Sequence, residues 1–297
     1  MKSLRWILPA MALAILPVEW AGAQQNPPPP YVSIAREGYR LTKAEVEALE
    51  AALAGNPDDL ATRTKLLGFY FRGAINVYGR EATIAARRRH ILWLIEHHPG
   101  SEVVGLSEAT IDPAGHSLAD KDGYEQAAKL WTLKAQLAGN QTAEIGNAAR
   151  FFRLADKERS AALLKQAQQA APNDAEWSNH LGYLYALAIL GVDGMNQNGL
   201  PTRHNPTEAK GRFAKQAREE LENSTNSIMV GVAGRILGLY GLMMGATSRG
   251  EFAVDYVPLA EAFLTKAQAL DPANPFWSRS LEEFHKLRSQ AQPGNAK

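Results

Sequence analysis

The stretch that decides the fold runs from Gln141 to Tyr185, QTAEIGNAARFFRLADKERSAALLKQAQQAAPNDAEWSNHLGYLY. Apolar and small residues recur every three or four positions over 143–154 and again over 158–170, which predicts two amphipathic helices. Asp156 stands between them, where the first helix must end and the second must be capped. The segment 172–174, Pro-Asn-Asp, then ends this helix pair and begins a third helix.

Small and bulky residues alternate along these helices in a way that favours close packing. Ala148 and Gly182 are small enough to let helix axes approach, whereas Leu164 and Tyr185 are predicted to fill the space between them. A pair of such helices buries only part of its apolar surface by itself. We therefore expect neighbouring pairs of the same kind.

A spaced pattern carries a resemblance to a known family: Ser160-x3-Leu164-x2-Ala167-x4-Pro172, then Trp177-x3-Leu181-Gly182-x2-Tyr185. This pattern resembles the tetratricopeptide repeat, with one extra residue between the tryptophan and the leucine. A second copy has the same spacing, Ala260-x3-Leu264-x2-Ala267-x4-Pro272 followed by Trp277. The resemblance implies a right-handed superhelix of stacked helix-turn-helix pairs, in which the first helix of each pair lines a concave face.

The predicted fold class is thus all-α, a tetratricopeptide-like solenoid over residues 41–290. Weaker copies of the pattern occur before the decisive stretch, and three insertions interrupt it, at 73–82, 108–122 and 191–206. The alternative is an ordinary bundle of amphipathic helices, which the same hydrophobic periodicity would also allow.

The two ends of the chain do not follow the helical pattern. Residues 1–23 combine a basic start, an apolar run and the small residues Ala21-Gly22-Ala23, which predicts a secretory signal peptide cleaved before Gln24. A retained N-terminal anchor is the alternative, and Pro9 and Pro17 argue against it. Residues 24–40 are predicted to be a proline-rich flexible spacer, and residues 291–297 a disordered tail.

Composition limits the classes of function. The formal net charge is only +1, which argues against binding to nucleic acid or to an anionic membrane surface. The chain has no cysteine, which excludes disulfides, thiol catalysis and thiolate metal sites. Export without disulfides favours a bacterial source, with the protein periplasmic or secreted.

The most apolar segment after the leader, Ser227 to Met244, has two interpretations. It could be a transmembrane span with Gly234-x3-Gly238 as a packing motif. Arg235 lies near its middle, however, and the repeat resumes after it. A buried first helix of a repeat is therefore the favoured prediction.

No pattern in the sequence indicates catalysis. His90, His97 and His98 do not have the spacing of a helical zinc pair, and we expect a partly exposed cluster at a helix end. The triplet Arg87-Arg88-Arg89 is predicted to form a solvated face. No nucleophile elbow or phosphate-binding glycine loop occurs. We expect neither enzyme activity nor a metal or cofactor.

The family register implies a set of partner-binding residues on the inward face of the first helices. Counted from Gly68, Ala148 and Gly182, the set comprises Lys65, Phe69, Arg72, Phe152, Arg153, Asn179 and Tyr183. The first three share one helix face by their spacing alone. Some family members hold a peptide carboxylate with lysine, asparagine and arginine. Phe69 stands where that asparagine would be, so aromatic contact flanked by cations is expected instead. These side chains could also merely pack against the neighbouring unit.

The resemblance implies an exported scaffold that binds a protein or peptide in its concave groove. Two alternatives stay open, an accessory subunit of a cell-envelope enzyme complex and, less favoured, an all-helical enzyme. Neither a nucleic acid nor stable membrane insertion is expected.

Overall fold

The computed structural model describes residues 30–114, 116–195, 201–203, 205, 207–247 and 253–291. Its all-α class confirms the sequence prediction. The α-helices of these residues are α1 Pro30–Gly38, α2 Lys43–Gly55, α3 Leu60–Arg72, α4 Ile75–Tyr78, α5 Arg80–His97, α6 Lys121–Leu137, α7 Thr142–Phe152, α8 Lys157–Ala170, α9 Ala175–Leu190, α10 Arg212–Asn223, α11 Ser227–Thr247, α12 Ala253–Leu270 and α13 Pro275–Ala291. The predicted signal peptide, residues 24–29 of the predicted spacer and residues 292–297 of the predicted tail lie outside the described residues.

Short elements lie in or beside the second and third predicted insertions, 108–122 and 191–206. Three 3₁₀ helices span Glu102–Gly105, Ser107–Ala109 and Glu208–Lys210. A two-residue antiparallel ladder pairs β1, Gly194–Met195, with β2, Pro201–Thr202. We expected a fold without strands, and this small ladder is an exception to that expectation. It joins the two ends of the glycine-rich insertion, where Asp193 N also donates to Thr202 O over 3.1 Å.

Polar residues cap the helices where the sequence indicates. Thr42 and Glu45 form a reciprocal capping box at the start of α2. Asp156 accepts a hydrogen bond from Arg159 N at the start of α8, and Asp174 accepts one from Glu176 N at the start of α9. These bonds satisfy amide groups that a helix N-terminus leaves unpaired.

The structure corrects the prediction of a flexible spacer over 24–40. Residues 30–38 form α1, and Pro30 suits its first turn because proline lacks the N–H that would be unpaired there. Ala35 is buried, and a Cβ on Gly68 would lie 1.9 Å from Ala35 O. The backbones of α1 and α3 thus touch at two small residues, and α1 belongs to the packed fold.

Helices pack mostly against the next helix or the next but one. Helix α3 contacts α1, α2 and α5; α7 contacts α6 and α8; α9 contacts α8, α10 and α11; and α11 contacts α12 and α13. At the contact of α9 with α11, a Cβ on Gly182 would lie 2.3 Å from Met229 O, so the two backbones are adjacent there. Gly182 therefore has the role in close helix approach that the sequence predicts.

The apolar interior follows the chain in three clusters. The first lies between α2, α3 and α5, the second extends from α3 through α5 and α6 to α7, and the third runs from α7 to α13. Trp131, Tyr185 and Trp277 are among the largest fully buried side chains. Burial is thus distributed along the array rather than concentrated at one centre.

Helix α5 contradicts two sequence predictions. Arg87 was expected on a solvated face, yet it is 3% exposed and its Nη2 donates to Glu108 O and Thr110 O. His90 was expected in a partly exposed cluster, yet it is 1% exposed. The physical reason is that α5 lies between α3 and the loop after His97. These neighbours cover the polar side of α5, and its polar groups form hydrogen bonds within the chain.

Within the described residues, no helix combines the length and the apolar character needed to cross a membrane. This agrees with the favoured prediction for α11, where Val230, Ala233 and Leu237 are buried against the rest of the chain.

Candidate functional site

Three alternate helices, α7, α9 and α11, bring together two arginines, two tyrosines, an asparagine and a histidine. We name this group the arginine–tyrosine cluster; its residues are Arg150, Arg153, Asn179, His180, Tyr183 and Tyr240. Five of the six come from the end of α7 and from two turns within α9. Because both helices pack against α8, the cluster sits on a rigid scaffold.

A glycine positions α9 beside α7. A Cβ on Gly146 would lie 2.6 Å from the ring of Trp177, so the indole occupies the space that a side chain would need at this point of the helix. One turn further along α7, Arg150 Nη1 donates to Gly105 O over 3.3 Å and lies 3.5 Å from Asn147 Oδ1. The guanidinium is thereby held between α7 and the 3₁₀ segment at Glu102–Gly105.

The second arginine is held by an aromatic ring. The guanidinium carbon of Arg153 lies 5.2 Å from the ring centre of Tyr183, a cation–π contact. Burial and the adjacent Tyr183 hydroxyl, with which it shares a hydrogen bond, raise the pKa of Tyr240. The Tyr240 hydroxyl therefore stays neutral beside the Arg153 cation.

The histidine of the cluster is held by a carboxylate. His180 Nε2 lies 3.2 Å from Glu176 Oε1, one helical turn earlier. Burial lowers the pKa of His180, and the positive charges of Arg150 and Arg153 lower it further, whereas Glu176 opposes both effects. The hydrogen bond from His180 and the charge of Arg150 keep the pKa of Glu176 low, against its partial burial.

The cluster carries positive charge that the chain does not neutralise by contact. In the part of the chain that the structure describes, neither Arg150 nor Arg153 lies within ion-pair distance of a carboxylate. Burial and the repulsion from Arg153 lower the pKa of Arg150. Arg153 Nε and Asn179 Oδ1 are buried without a hydrogen-bond partner. The positive charges of Arg150 and Arg153 attract anions, so an incoming anionic group would be stabilised beside these guanidiniums.

The residues that the sequence singled out fall into two separate groups. Arg153, Asn179 and Tyr183 belong to the arginine–tyrosine cluster. Lys65 and Arg72 lie on α3 and have partners within the chain: Lys65 Nζ is 2.8 Å from Glu37 Oε2. The Arg72 guanidinium lies 5.6 Å from the ring centre of Tyr39.

Tyr39 links this second group to the chain interior. Its hydroxyl donates to Glu108, and burial together with that carboxylate raises the pKa of Tyr39 to about 12. Lys65 and Arg72 therefore help to hold α3 against α1 and Tyr39. Tyr39 in turn connects this region to the 3₁₀ helix Ser107–Ala109.

Three of the predicted groove residues are not on a surface. Phe69, Phe152 and Asn179 are 1%, 2% and 3% exposed. Phe69 packs edge-on against Tyr70 and Tyr78, and Phe152 packs against Phe151. Direct contact of the two phenylalanines with a partner is therefore wrong, and they have the packing role that was the alternative. Asn179 contributes only through its unpaired amide oxygen.

Arg150, His180 and Tyr240 were not among the residues predicted from the sequence. The register predicted for α7 was counted from Ala148, but the structure places Gly146 against Trp177 of α9. Counting four positions from Ala148 gives buried Phe152, whereas counting four from Gly146 gives Arg150. The repeated spacing Gly146-x3-Arg150 and Gly231-x3-Arg235 was the signal that could have corrected this register.

Two surface cavities lie away from the cluster. One of about 440 Å³ is lined by residues of α10 with Met229, and one of about 520 Å³ lies between the start of α5 and the start of α6. The described residues contain no group of three or more histidine, aspartate or glutamate side chains that could hold a metal ion. Neither cavity contains an arrangement of catalytic groups that we recognise.

No protein-family description, curated protein or solved structure matches this chain.

Proposed function

We propose that the chain is a scaffold of the tetratricopeptide-repeat kind, which binds a protein or peptide partner on the face formed by α7, α9 and α11. The observation that carries the proposal is the arginine–tyrosine cluster, in which two cations, two tyrosines and an unpaired amide oxygen come from the alternate helices α7, α9 and α11. Arginine and tyrosine are the residue types that dominate protein-binding surfaces. No catalytic step is proposed.

The order of helix contacts supports the repeat interpretation. In a tetratricopeptide array, the first helix of each pair contacts the first helices of neighbouring pairs. Three pairs of helices contact each other in this way, α1 with α3, α9 with α11, and α11 with α13. In each pair, one other helix lies between the two in the sequence. Trp277 packs onto Gly231 at the last of these joints, and Trp177 of α9 packs in the same way onto Gly146 of α7.

The predicted leader at 1–23 bears on where the scaffold works. We propose that it acts outside the cytoplasm, periplasmic or secreted, and that its partner is found there. Its fold needs no disulfide, because the chain has no cysteine.

Capture from an extract of the protein's own host tests the proposal. Immobilised chain should retain a partner from the extracytoplasmic fraction, and the double variant Arg153→Gln and Tyr183→Ala should retain at least tenfold less, a loss of about 1.4 kcal/mol. The matched control is Arg212→Gln, which changes an arginine of α10 whose side chain is 83% exposed and pairs with Glu158.

The melting temperatures of all three proteins must agree within a few degrees for the comparison to count. Equal retention by the folded double variant and by the Arg212→Gln control would place the binding surface outside the cluster and refute the proposal.

A further inference from the structure

The two arginines of the arginine–tyrosine cluster lie three positions apart at the end of α7. Arg153 is the C-cap residue and still has helical backbone angles. Side chains at positions i and i+3 are neighbours on a helix surface, and the charge of Arg153 lowers the pKa of Arg150. Both side chains are half-buried, so they are partly desolvated and still reachable from solvent. Two cations are therefore held close together at an accessible position.

The carboxylate nearest in effect to this pair does not neutralise it. In the described part of the chain, Glu176 of α9 is the carboxylate whose charge acts on Arg150, and no ion pair joins the two. Glu176 instead shares a hydrogen bond with His180, whose Nε2 lies 3.2 Å from Glu176 Oε1. Two arginines and one glutamate leave one positive charge, which a single further carboxylate would balance.

His180 lies within the electrostatic reach of the arginine pair. Tyr183, one turn later on the same face of α9, has the Arg153 guanidinium 5.2 Å from its ring centre. Burial lowers the pKa of His180 most, and the hydrogen bond with Glu176 opposes this effect. The positive charges of Arg150 and Arg153 lower it further. A negative charge placed on the arginines would cancel part of their repulsion, so the imidazole would hold a proton more readily.

We infer that the cluster receives one carboxylate of the partner between Arg150 and Arg153, and that His180 takes up a proton when this carboxylate binds. The inference rests on the proposed function, and it names the partner's anchoring group and its regulation by pH. Arginine suits this group because a guanidinium can bind both carboxylate oxygens at once. Coupling between two ligands is reciprocal, so the partner binds more tightly as the pH falls and His180 becomes protonated.

NMR of the histidine ring Cε1–H groups tests the coupling in the full chain, with His180→Gln identifying the resonance. Three short peptides serve as probes at constant ionic strength. One has a glutamate and an amidated C-terminus, one has a glutamine and a free C-terminal carboxylate, and the third has a glutamine and an amidated C-terminus. A carboxylate probe should raise the pKa of His180 by about half a unit or more, and the uncharged peptide should leave it unchanged. The carboxylate peptide that acts identifies the source of the anchoring group.

Substitution of each arginine should remove the coupling. Arg150→Gln and Arg153→Gln should each raise the pKa of His180 in the free protein and at least halve its response to the carboxylate probe. Arg150→Lys keeps the charge should Arg150→Gln fail to fold, and melting temperatures are measured alongside. Arg212→Gln is the control, and it should leave the response unchanged. The resonance of His98, whose Nε2 lies 3.0 Å from Asp58 Oδ1, is the internal control and should not respond.

A pKa of His180 that neither carboxylate peptide raises would overturn the inference. An equal rise in a folded Arg153→Gln variant would overturn it as well, because the probe would then act from elsewhere. If the double variant Arg153→Gln and Tyr183→Ala still loses partner capture while His180 does not respond, the proposed function stands and only the coupling fails.

Discussion

At the scale of single residues, His90 shows how a buried polar group can be satisfied without charge. Its Nδ1 lies 3.1 Å from Arg63 Nη1, which can only donate, and its Nε2 lies 2.9 Å from Glu50 Oε1, which accepts. This arrangement fits a neutral imidazole with its proton on Nε2. Tyr70 and Arg89 also donate to Glu50, so that carboxylate is held from three sides.

Burial lowers the pKa of His90, and the charges of Arg89 and Arg63 add to this effect, whereas Glu50 opposes it. The unfolded chain takes up a proton at this residue near pH 6.5, while the folded chain resists protonation. The unfolded state therefore binds more protons just below pH 6.5, and stability must fall there as the pH falls.

We predict that His90→Gln makes unfolding less dependent on pH. Between pH 6 and pH 5, His90 contributes a slope of at most about 1.4 kcal/mol per pH unit, which glutamine, having no titratable proton, cannot reproduce. Urea denaturation at several pH values measures the slope. His285→Gln is the control, because His285 is half-exposed and pairs with Glu261. An unchanged slope in His90→Gln would show that His90 is not held neutral.

At the scale of helices, the joint of α9 with α10 depends on one side chain. Tyr185 is 1% exposed, and its hydroxyl donates to Glu220 of α10. Glu220 also receives Lys165 Nζ of α8 at 2.8 Å and Gln216 Nε2 at 3.0 Å. Tyr185 therefore adds both packing and a polar link among three helices.

We predict that Tyr185→Ala lowers the free energy of unfolding by about 3 kcal/mol or more, because it leaves a cavity between helices. Tyr185→Phe keeps the ring and removes the hydroxyl, so the expected loss is about 1 to 2 kcal/mol. Leu137→Ala should change little, since Leu137 is 71% exposed. Chemical denaturation with circular dichroism measures all three. A change near zero in Tyr185→Ala would mean that the joint does not depend on this ring.

Helix positions were predictable because their signals are local. The periodicity of apolar residues and the capping residues Thr42, Asp156 and Asp174 each act within a few positions of the helix end that they define. Helix α1 was missed because its helical state depends on packing against α3, and a short segment after a proline run has no local signal for that contact. Arg87 and His90 were misplaced for a similar reason: Arg87 is covered by the distant loop after His97, and His90 by side chains of α2 and α3.

At the scale of the whole molecule, the prediction of the site depended on which small residue of each helix was taken as the point of close contact. This choice was made at Gly68, Ala148 and Gly182. Arg153 and Tyr183 were found because the spacing from small residues is nearly right in α7 and α9. Arg150 was not, because Gly146 and Ala148 are both small and only the packed tryptophan distinguishes them. Tyr240 was not, because no register was counted in α11. The distribution of charge on the assembled face depends on contacts between helices that are far apart in sequence.

Arg150 and Arg153 lie at the end of α7 without an ion pair to a described carboxylate, while the cations of α3 are already engaged by Glu37 and Tyr39. Partner binding is therefore expected at the later repeats rather than at the first. The sequence, in contrast, predicts binding residues on α3 as well as on α7 and α9.

Site-specific photo-crosslinking in the protein's own host tests the central claim most directly. A photoreactive phenylalanine derivative replaces either Tyr183 of the cluster or Lys215, an exposed residue of α10. The proposal predicts a covalent adduct with one partner protein when the probe stands at 183, and at most a trace when it stands at 215. Adducts at 215 with none at 183, from two proteins that fold equally well, would contradict a binding surface on α7, α9 and α11.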